Sequence, residues 1–281
     1  MTHGIGGHAP VAGGLAKAAL AYVDTVSAGA VQVYVGNPRG WARPAGNPAQ
    51  DEAFTAGCHQ RAIPAYVHAS LLVNIGSPTE ATVDQSRETL AHALVRAAGI
   101  GAAGVVFHAG SAVDGEHAPQ AFRQVREVLL PLLDALPDDG PKLLVEPSAG
   151  GGRSLAARVE DLGPYFEAVD FHPRLAVCFD TCHAWAAGHD LAKPGGMTQT
   201  LDELVAVCGA GRLALVHAND SRDTCGSLRD RHESIGKGTI GAAAFGEMMR
   251  HPALAGVPVI VETPGELHAT DISLLRGLRS E

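Results

Sequence analysis

The chain has 281 residues, 46% of them hydrophobic, which is enough to bury a large core in one big domain or two small ones. No apolar run nears the roughly 18 residues that span a bilayer, and the N-terminus lacks a basic-then-apolar leader pattern, so a cytoplasmic protein with no membrane partner is expected. Against 30 Asp and Glu stand 21 Lys and Arg, a formal charge of −9 that superficially argues against a nucleic-acid partner; carboxylates that ligate cations do not repel a phosphate, however, so charge excludes little. Five cysteines, an odd number in a chain with no need of covalent staples, are expected to be free thiols in a reducing compartment.

Short β-branched runs recur along the chain with Ala/Leu-rich stretches between them. In order, strands are expected at "IGGHA", "AVQVYVG", "AIPAYVHA", "GVVFHAG", "KLLVEP", "LAVCFDTCH", "LALVHAND" and "PVIVET". Helical spacing marks "LAKAALAYVDTV", "SRETLAHALVRAAG" and "APQAFRQVREVLLPLLDAL", several such segments opening on Ser, Thr or Asp and closing on Gly. Strand-then-helix alternation implies a parallel sheet with right-handed crossovers. Eight such units fit a (β/α)₈ TIM barrel of about 250 residues. An open doubly wound sheet is the alternative, but no G-x-G-x-x-G follows the first strand. No linker or composition shift divides the chain, so residues 1–281 are expected to form a single α/β domain.

Placed on that frame, the polar residues gather. His68 ends the third strand, His108 the fourth, Glu146 the fifth, Asp180 the sixth, His217 the seventh and Glu262 the eighth. His183 lies one turn beyond Asp180, while Asp230 and His232 fall in the loop after strand seven. Barrel active sites are built at the C-terminal strand ends, so these side chains are expected on one rim, with helices contributing none of them. A lone His or Glu at a strand end is ordinarily a satisfied structural group. Nine together include four carboxylates, whose mutual repulsion and desolvation call for cations. Imidazole with carboxylate and no cysteine cluster suits Zn²⁺, with Mn²⁺ the alternative, and nine donors suit two or three ions. Cys178 and Cys182 flank Asp180 and read as packing residues; in an unbulged strand Cys178 is expected to turn away from the metal side.

The segment "HANDSRDTCGSLRDRHESIGKG", residues 217–238, is the densest in acceptors and imidazoles. With "CFDTCHAWAAGHDL", "YVHASLLVNIGSP", "IGGHAPVAGGL", "FHAG", "LVEPSAGGG" and "VIVET" in the same order, it closely resembles the endonuclease IV family of apurinic/apyrimidinic endonucleases, from about Gly4 to Glu262. The resemblance implies a hydrolase with three zinc ions per chain, manganese being the alternative at one site, that cuts damaged double-stranded DNA on the 5′ side of abasic sites, leaves a 3′-hydroxyl and trims blocked 3′ ends. It implies that His68 and His108 hold the first ion, that Glu146 bridges to a second completed by Asp180, His217 and Glu262, and that His183, Asp230 and His232 hold the third. Glu146 and Glu262 would orient or deprotonate the attacking water. Arg39, Trp41, Leu71, Arg222, Arg229, Arg231 and Lys237 would meet DNA. Asp230 and His232, two apart in an extended stretch, should face one way, with Arg229 and Arg231 turned the other way towards DNA.

The chain departs from the family pattern at Leu71, where many relatives carry an aromatic wedge, at Pro147 and Ser148 in place of Asn-Thr, and at Ala9 and Pro10 in place of Val-Ser. None removes an expected ligand. The nearest rival is a sugar isomerase or epimerase on the same barrel, which would share Glu146, Asp180, His217 and Glu262 but has no need of His68, His108, His183, Asp230 or His232. A scaffold with purely structural zinc is a second rival, disfavoured because closed zinc sites are usually cysteine-rich. No obligate protein partner is evident and a monomer is expected.

Overall fold

The computed structural model describes residues 4–280, so residues 1–3 and 281 of the expected domain lie outside the described residues. Eight parallel strands close into a barrel in which each lies beside its neighbours in sequence and the last pairs with the first. The barrel strands are β1 (Ile5–His8), β2 (Val31–Tyr34), β3 (Ala65–His68), β4 (Gly104–His108), β5 (Lys142–Glu146), β6 (Leu175–Asp180), β7 (Leu213–His217) and β10 (Val259–Val261). Around them run α1 (Leu15–Val26), α2 (Pro48–Arg61), α3 (Glu80–Gly99), α4 (Ala118–Asp134), α5 (Leu162–Glu167), α6 (Thr181–Ala186), α7 (Gly196–Cys208), α8 (Ala242–Arg250) and α9 (His268–Ser280). Among the described residues no helix is long and apolar enough to cross a membrane.

The alternation of each strand divides the core in two. Outward-facing Val33, Val67, Phe107, Val145 and Val177 join the helices' apolar stripes in one large cluster. The stripe of α4 shows the pattern: Ala121, Val125, Val128, Leu129 and Leu133 are buried at three- and four-residue spacing, about 1.5–3 kcal/mol for each large side chain. Inward-facing Ala30, Tyr66, Val106, Leu144, Cys178, Leu215 and Ile260 fill the lumen as a separate plug. Gly6 lies at the matching place on β1, where a Cβ would collide with the carbonyl of Ala30.

Two residues further along each of those strands, on the same inward face, stand Gln32, His68, His108, Glu146, Asp180, His217 and Glu262. An apolar floor therefore carries a polar rim. Helix α3 begins six residues ahead of the expected "SRETL", at Glu80, because "EATVDQ" continues the helix. Side-chain capping is done by Asn47, which accepts from the Gln50 amide of α2, and by Asp180, which accepts from the His183 amide of α6.

The loop after β7 is more ordered than its composition suggests. β8 (Asp220–Ser221) pairs antiparallel with β9 (His232–Glu233), placing Ser221 opposite His232. Buried Asp220 then gathers the following turn: its Oδ1 accepts from the amides of Ser221 (2.8 Å) and Ile240 (2.9 Å), and its Oδ2 from those of Gly236 (2.9 Å), Gly238 (3.1 Å) and Gly241 (3.3 Å). A Cβ at Gly238 would strike the Asp220 carboxylate and the Ser221 carbonyl, so the turn requires glycine there.

Candidate metal centre

The rim side chains are oriented by what their second atoms bond. A neutral imidazole has a single N–H. His68 turns Nδ1 to the Ala69 carbonyl (2.7 Å), His183 turns Nδ1 to the Pro147 carbonyl (3.0 Å), and His232 turns Nδ1 to the Glu262 carbonyl (3.2 Å). Each must donate there, which leaves a lone pair on Nε2. Those lone pairs face carboxylates: His68 lies 3.3 Å from Glu146, His183 3.2 Å from Asp230 and His232 2.9 Å from Asp230. The Nε2 of His232 is buried and has no hydrogen-bond partner among the described residues. At His217 the roles of the nitrogens are reversed: Nε2 meets the Gln32 amide oxygen at 2.9 Å, and Nδ1 lies 3.0 Å from Glu146 and 3.3 Å from Glu262.

Acceptors facing acceptors at these distances repel unless a cation or an extra proton lies between them. The spacing is that of ligands on one ion, since roughly 3.3 Å is the edge of a tetrahedron with bonds of about 2.0 Å. The donors fall into overlapping groups: His68, His108 and Glu146; Glu146 and His217, with Asp180 and Glu262 alongside; and Asp180, His183 and His232, with Asp230. Glu146 belongs to two of these groups, Asp180 likewise. The donor set fits divalent cations.

The electrostatics express the same demand. Burial disfavours ionised Glu146 most strongly, yet the charge of His217 and the close approach of His183, His217 and His68 hold it well below the carboxylate range. Burial likewise opposes charge on His232, but the Asp230 carboxylate 2.9 Å away and the nearness of Asp180 push it up to about 9. His183 and His217 are raised well above the ordinary value, against burial, by Asp180 and Asp230 for the first and by Cys178, then Glu262 and Glu146, for the second. Asp180 is raised by burial, and His108, buried with less compensation, is lowered to about 4.

Imidazoles with raised values hold a proton that an arriving cation must displace. At pH 7.5 metal uptake by the chelator-stripped protein should therefore release protons, and apparent affinity should climb as pH rises through about 9, where His232 gives up its proton. The protonated His232 contributes stability to the metal-free fold that is complete below the ordinary 6.5 and lost as pH rises through about 9. Calorimetry of zinc binding in buffers of different ionisation enthalpy measures the release; a value of zero at pH 7.5 would show that the imidazoles are neutral beforehand.

Three expectations need correction. A helix does contribute, since His183 lies in α6, set there by the capping Asp180. Cys178 does not turn away from the metal side: it is two residues from Asp180, shares its inward face, and its Sγ lies close to the ligand atoms of Glu146 and His217. The strand also shifts register between Val177 and Cys178. Burial pushes the Cys178 and Cys182 thiols up to about 12, so both remain packing groups that carry their proton. Thirdly, Arg231 does not point freely outwards but forms two bonds to Asp223 (2.7 and 2.5 Å), with Arg229 3.7 Å from the same carboxylate.

The remaining expected DNA contacts lie in the loops that follow β2, β3 and β7. Arg222 pairs with Glu233 at 3.3 Å, whereas exposed Arg39 and Lys237 make no ion pair among the described residues. The loops bearing Arg39 with Trp41 and Leu71 are tied together, Ser70 donating to the Pro38 carbonyl (3.0 Å) and the Leu71 amide to the same oxygen (2.8 Å). Leu71 is 40% exposed, a large apolar side chain left in solvent beside the rim. The Pro147 departure leaves its contact intact, because His183 uses the backbone carbonyl.

Sequence reading missed His8, Gln32 and Asn219. The Nδ1 of His8 lies 3.2 Å from Glu262 and 2.9 Å from the Gln32 amide, and its ring packs 4.3 Å from Tyr34. Asn219 donates to Asp180 (2.7 Å) and accepts from the Glu262 amide (2.8 Å). The signal was present for the first two: "IGGH" and "AVQVY" carry the same step, small inward residue then polar inward residue, as the six strands that were read.

Residues 20–278 match the family model described as xylose isomerase-like TIM barrel. Over 98% of its length the chain is 59% identical to the probable endonuclease 4 of Streptomyces avermitilis, spanning 90% of that protein. It belongs to the endonuclease IV family. As a member it is a hydrolase of the AP endonuclease class. The probable endonuclease 4 of Chloroflexus aurantiacus is 35% identical, with 97% of each chain covered. The crystal structure of endonuclease IV from Thermus thermophilus superposes with a TM-score of 0.86 at 34% identity, covering 99% of both chains. A D-tagatose 3-epimerase-like protein reaches 0.75 at 16% identity, a likeness of fold alone. Endonuclease IV and the epimerase-like protein thus share a barrel.

Proposed function

We propose that this chain incises duplex DNA on the 5′ side of abasic sites, leaving a 3′-hydroxyl, and trims blocked 3′ ends at the same centre with three zinc ions. The observation that carries the proposal is the rim itself, where imidazole lone pairs confront carboxylates at 2.9–3.3 Å in three overlapping groups. A four-donor centre for sugar isomerisation would have no use for His68, His108, His183, Asp230 and His232. Zinc held by these nine residues would supply Lewis-acid polarisation of a phosphodiester and of water, and a counter-charge for the departing oxygen.

The protein's own groups do the positioning. Glu146, 1% exposed, joins the first two donor groups, so its two oxygens set their separation. Glu262 accepts from Gln32 at 2.7 Å and is 17% exposed, which leaves it able to orient or deprotonate a water approaching the phosphorus. No protein acid is needed for the leaving oxygen if the group of His183, Asp230 and His232 holds a cation. Arg39, Trp41, Leu71, Arg222, Arg229, Arg231 and Lys237, on loops that follow β2, β3 and β7, would grip the backbone around a lesion, where extrusion is easiest because a base is already missing.

The test is incision of a labelled duplex carrying one abasic site by zinc-loaded protein, before and after chelation, with a polymerase extending the product to show its 3′-hydroxyl. Intact duplex alongside turnover of a ketose would overturn the proposal. The same assay gives a salt dependence. With about −0.9 in log–log slope per phosphate met, Arg39 and Lys237 alone give about −2 and all five cations about −4.5. Because Arg222, Arg229 and Arg231 are occupied by Glu233 and Asp223, the slope reports whether those pairs open on DNA. A flat response would make all five simple solubilising charges.

A further inference from the structure

Gln32 is fully buried on the inward face of β2, at the level of the donor residues, although it is not one of them. It makes polar contacts at every amide position. Its Nε2 donates to Glu262 Oε1 at 2.7 Å and to His8 Nδ1 at 2.9 Å, and its Oε1 meets His217 Nε2 at 2.9 Å. The orientation of the amide is forced. Exchanging its oxygen and nitrogen would set a carbonyl against the Glu262 carboxylate at 2.7 Å, an acceptor against an acceptor.

Two consequences follow. With Oε1 facing it, His217 Nε2 must carry its proton there, so the Nδ1 lone pair is the one presented to Glu146 and Glu262. With Nε2 bound to Oε1 of Glu262, that carboxylate directs its other oxygen, Oε2, to the same His217 Nδ1. His68, His183 and His232 fix their tautomers against backbone carbonyls, which no substitution removes. His217 depends on a side chain.

We propose that Gln32 is the positioning residue of the central ion, setting the His217 tautomer and the Glu262 rotamer together through one amide. The inference rests on the zinc-centre reading given above, and concerns the ion shared by Glu146, Asp180, His217 and Glu262. Outer partners of metal ligands typically change affinity by about 10–100-fold. Gln32→Met keeps length and apolar volume but removes both donor and acceptor. Gln32→Glu keeps an acceptor for His217 and replaces the donor to Glu262 by a carboxylate.

The experiment measures zinc affinity by competition with a chromophoric chelator, the visible spectrum of cobalt-loaded protein, and long-range proton–nitrogen NMR of the imidazoles in the zinc-loaded form. The intact protein should show His217 protonated at Nε2. Gln32→Met should weaken one ion of the set by about 10–100-fold, alter the cobalt spectrum, and lower kcat on abasic duplex while leaving KM within about twofold. Gln32→Glu should keep the His217 tautomer while still weakening that ion. A lowered melting temperature with unchanged zinc affinity, cobalt spectrum and His217 tautomer would overturn the inference, because Gln32 would then be mere packing. Failure of the function reading looks different: altered metal binding in Gln32→Met with no incision by the unsubstituted protein would sink the nuclease and leave Gln32 its role.

Discussion

Glu146→Gln should lower the rate of abasic-site incision by at least about 10³-fold, roughly 4 kcal/mol of transition-state stabilisation, while the fold persists. The carboxylate lies 3.3 Å from His68, 3.6 Å from His108, 3.3 Å from His183 and 3.0 Å from His217, so one charge serves imidazoles from four elements. A glutamine keeps the volume but offers those imidazoles a neutral amide whose NH₂ points at one of them. The ions of both groups it joins should bind more weakly, and zinc content should fall by one or more. Stability should change little, because the apolar floor of Tyr66, Val106, Leu144, Leu215 and Ile260 and the shell under the helices are untouched. Metal analysis, circular dichroism and single-turnover incision on one preparation decide the matter. A variant retaining full zinc and incising at the parent rate would remove Glu146 from the machinery.

The features that made this centre legible in the sequence, and those that hid parts of it, have physical causes. Strand-end residues were readable because a parallel barrel strand is short and buried on both faces, so a His or Glu closing a run such as "GVVFH" or "KLLVE" has to face the rim. Gln32 escaped because an amide carries no charge and looks at home in a β-branched run; only its register, level with Glu262 and His217 across the lumen, marks it. Asn219 escaped for a related reason, since "HAND" reads as a loop start when it is an elbow that ties Asp180 to the Glu262 backbone. The ribbon β8–β9 could not be read from propensity: Asp220–Ser221 and His232–Glu233 are two-residue strands of poor β formers, held by Asp220 and its five amide donors. Charge density in residues 217–238 was visible, and the family resemblance pointed to Asp230 and His232, but the tasks of Asp220 and Asp223 were not legible. Asp220 and Asp223 turn out to hold backbone and arginines, while Asp230 faces His183 and His232.

That division is open to a sharp test. His232→Ala should lower the zinc content by about one and slow bond breaking by about 10²–10³-fold, because the leaving oxygen loses its counter-charge. The position is fixed twice over: Ser221 pairs with it across the ribbon and its Nδ1 bonds the Glu262 carbonyl, so the truncated site cannot recruit a substitute nitrogen. Arg231→Ala, one residue away on the opposite face, should keep every ion, weaken DNA binding and make the salt slope shallower by about one. Its guanidinium is held by Asp223, and two roles are therefore possible, holding the loop or meeting phosphate once the pair opens. Asp223→Asn separates them. If Arg231 serves DNA, releasing it from its carboxylate leaves binding intact or stronger and zinc content unchanged. If Arg231 only braces the loop, Asp223→Asn and Arg231→Ala will lose zinc together, since the brace sits one residue from both Asp230 and His232. Zinc analysis and binding titrations on the three variants distinguish these outcomes, and full zinc with normal turnover in His232→Ala would refute the placing of an ion between His183, Asp230 and His232.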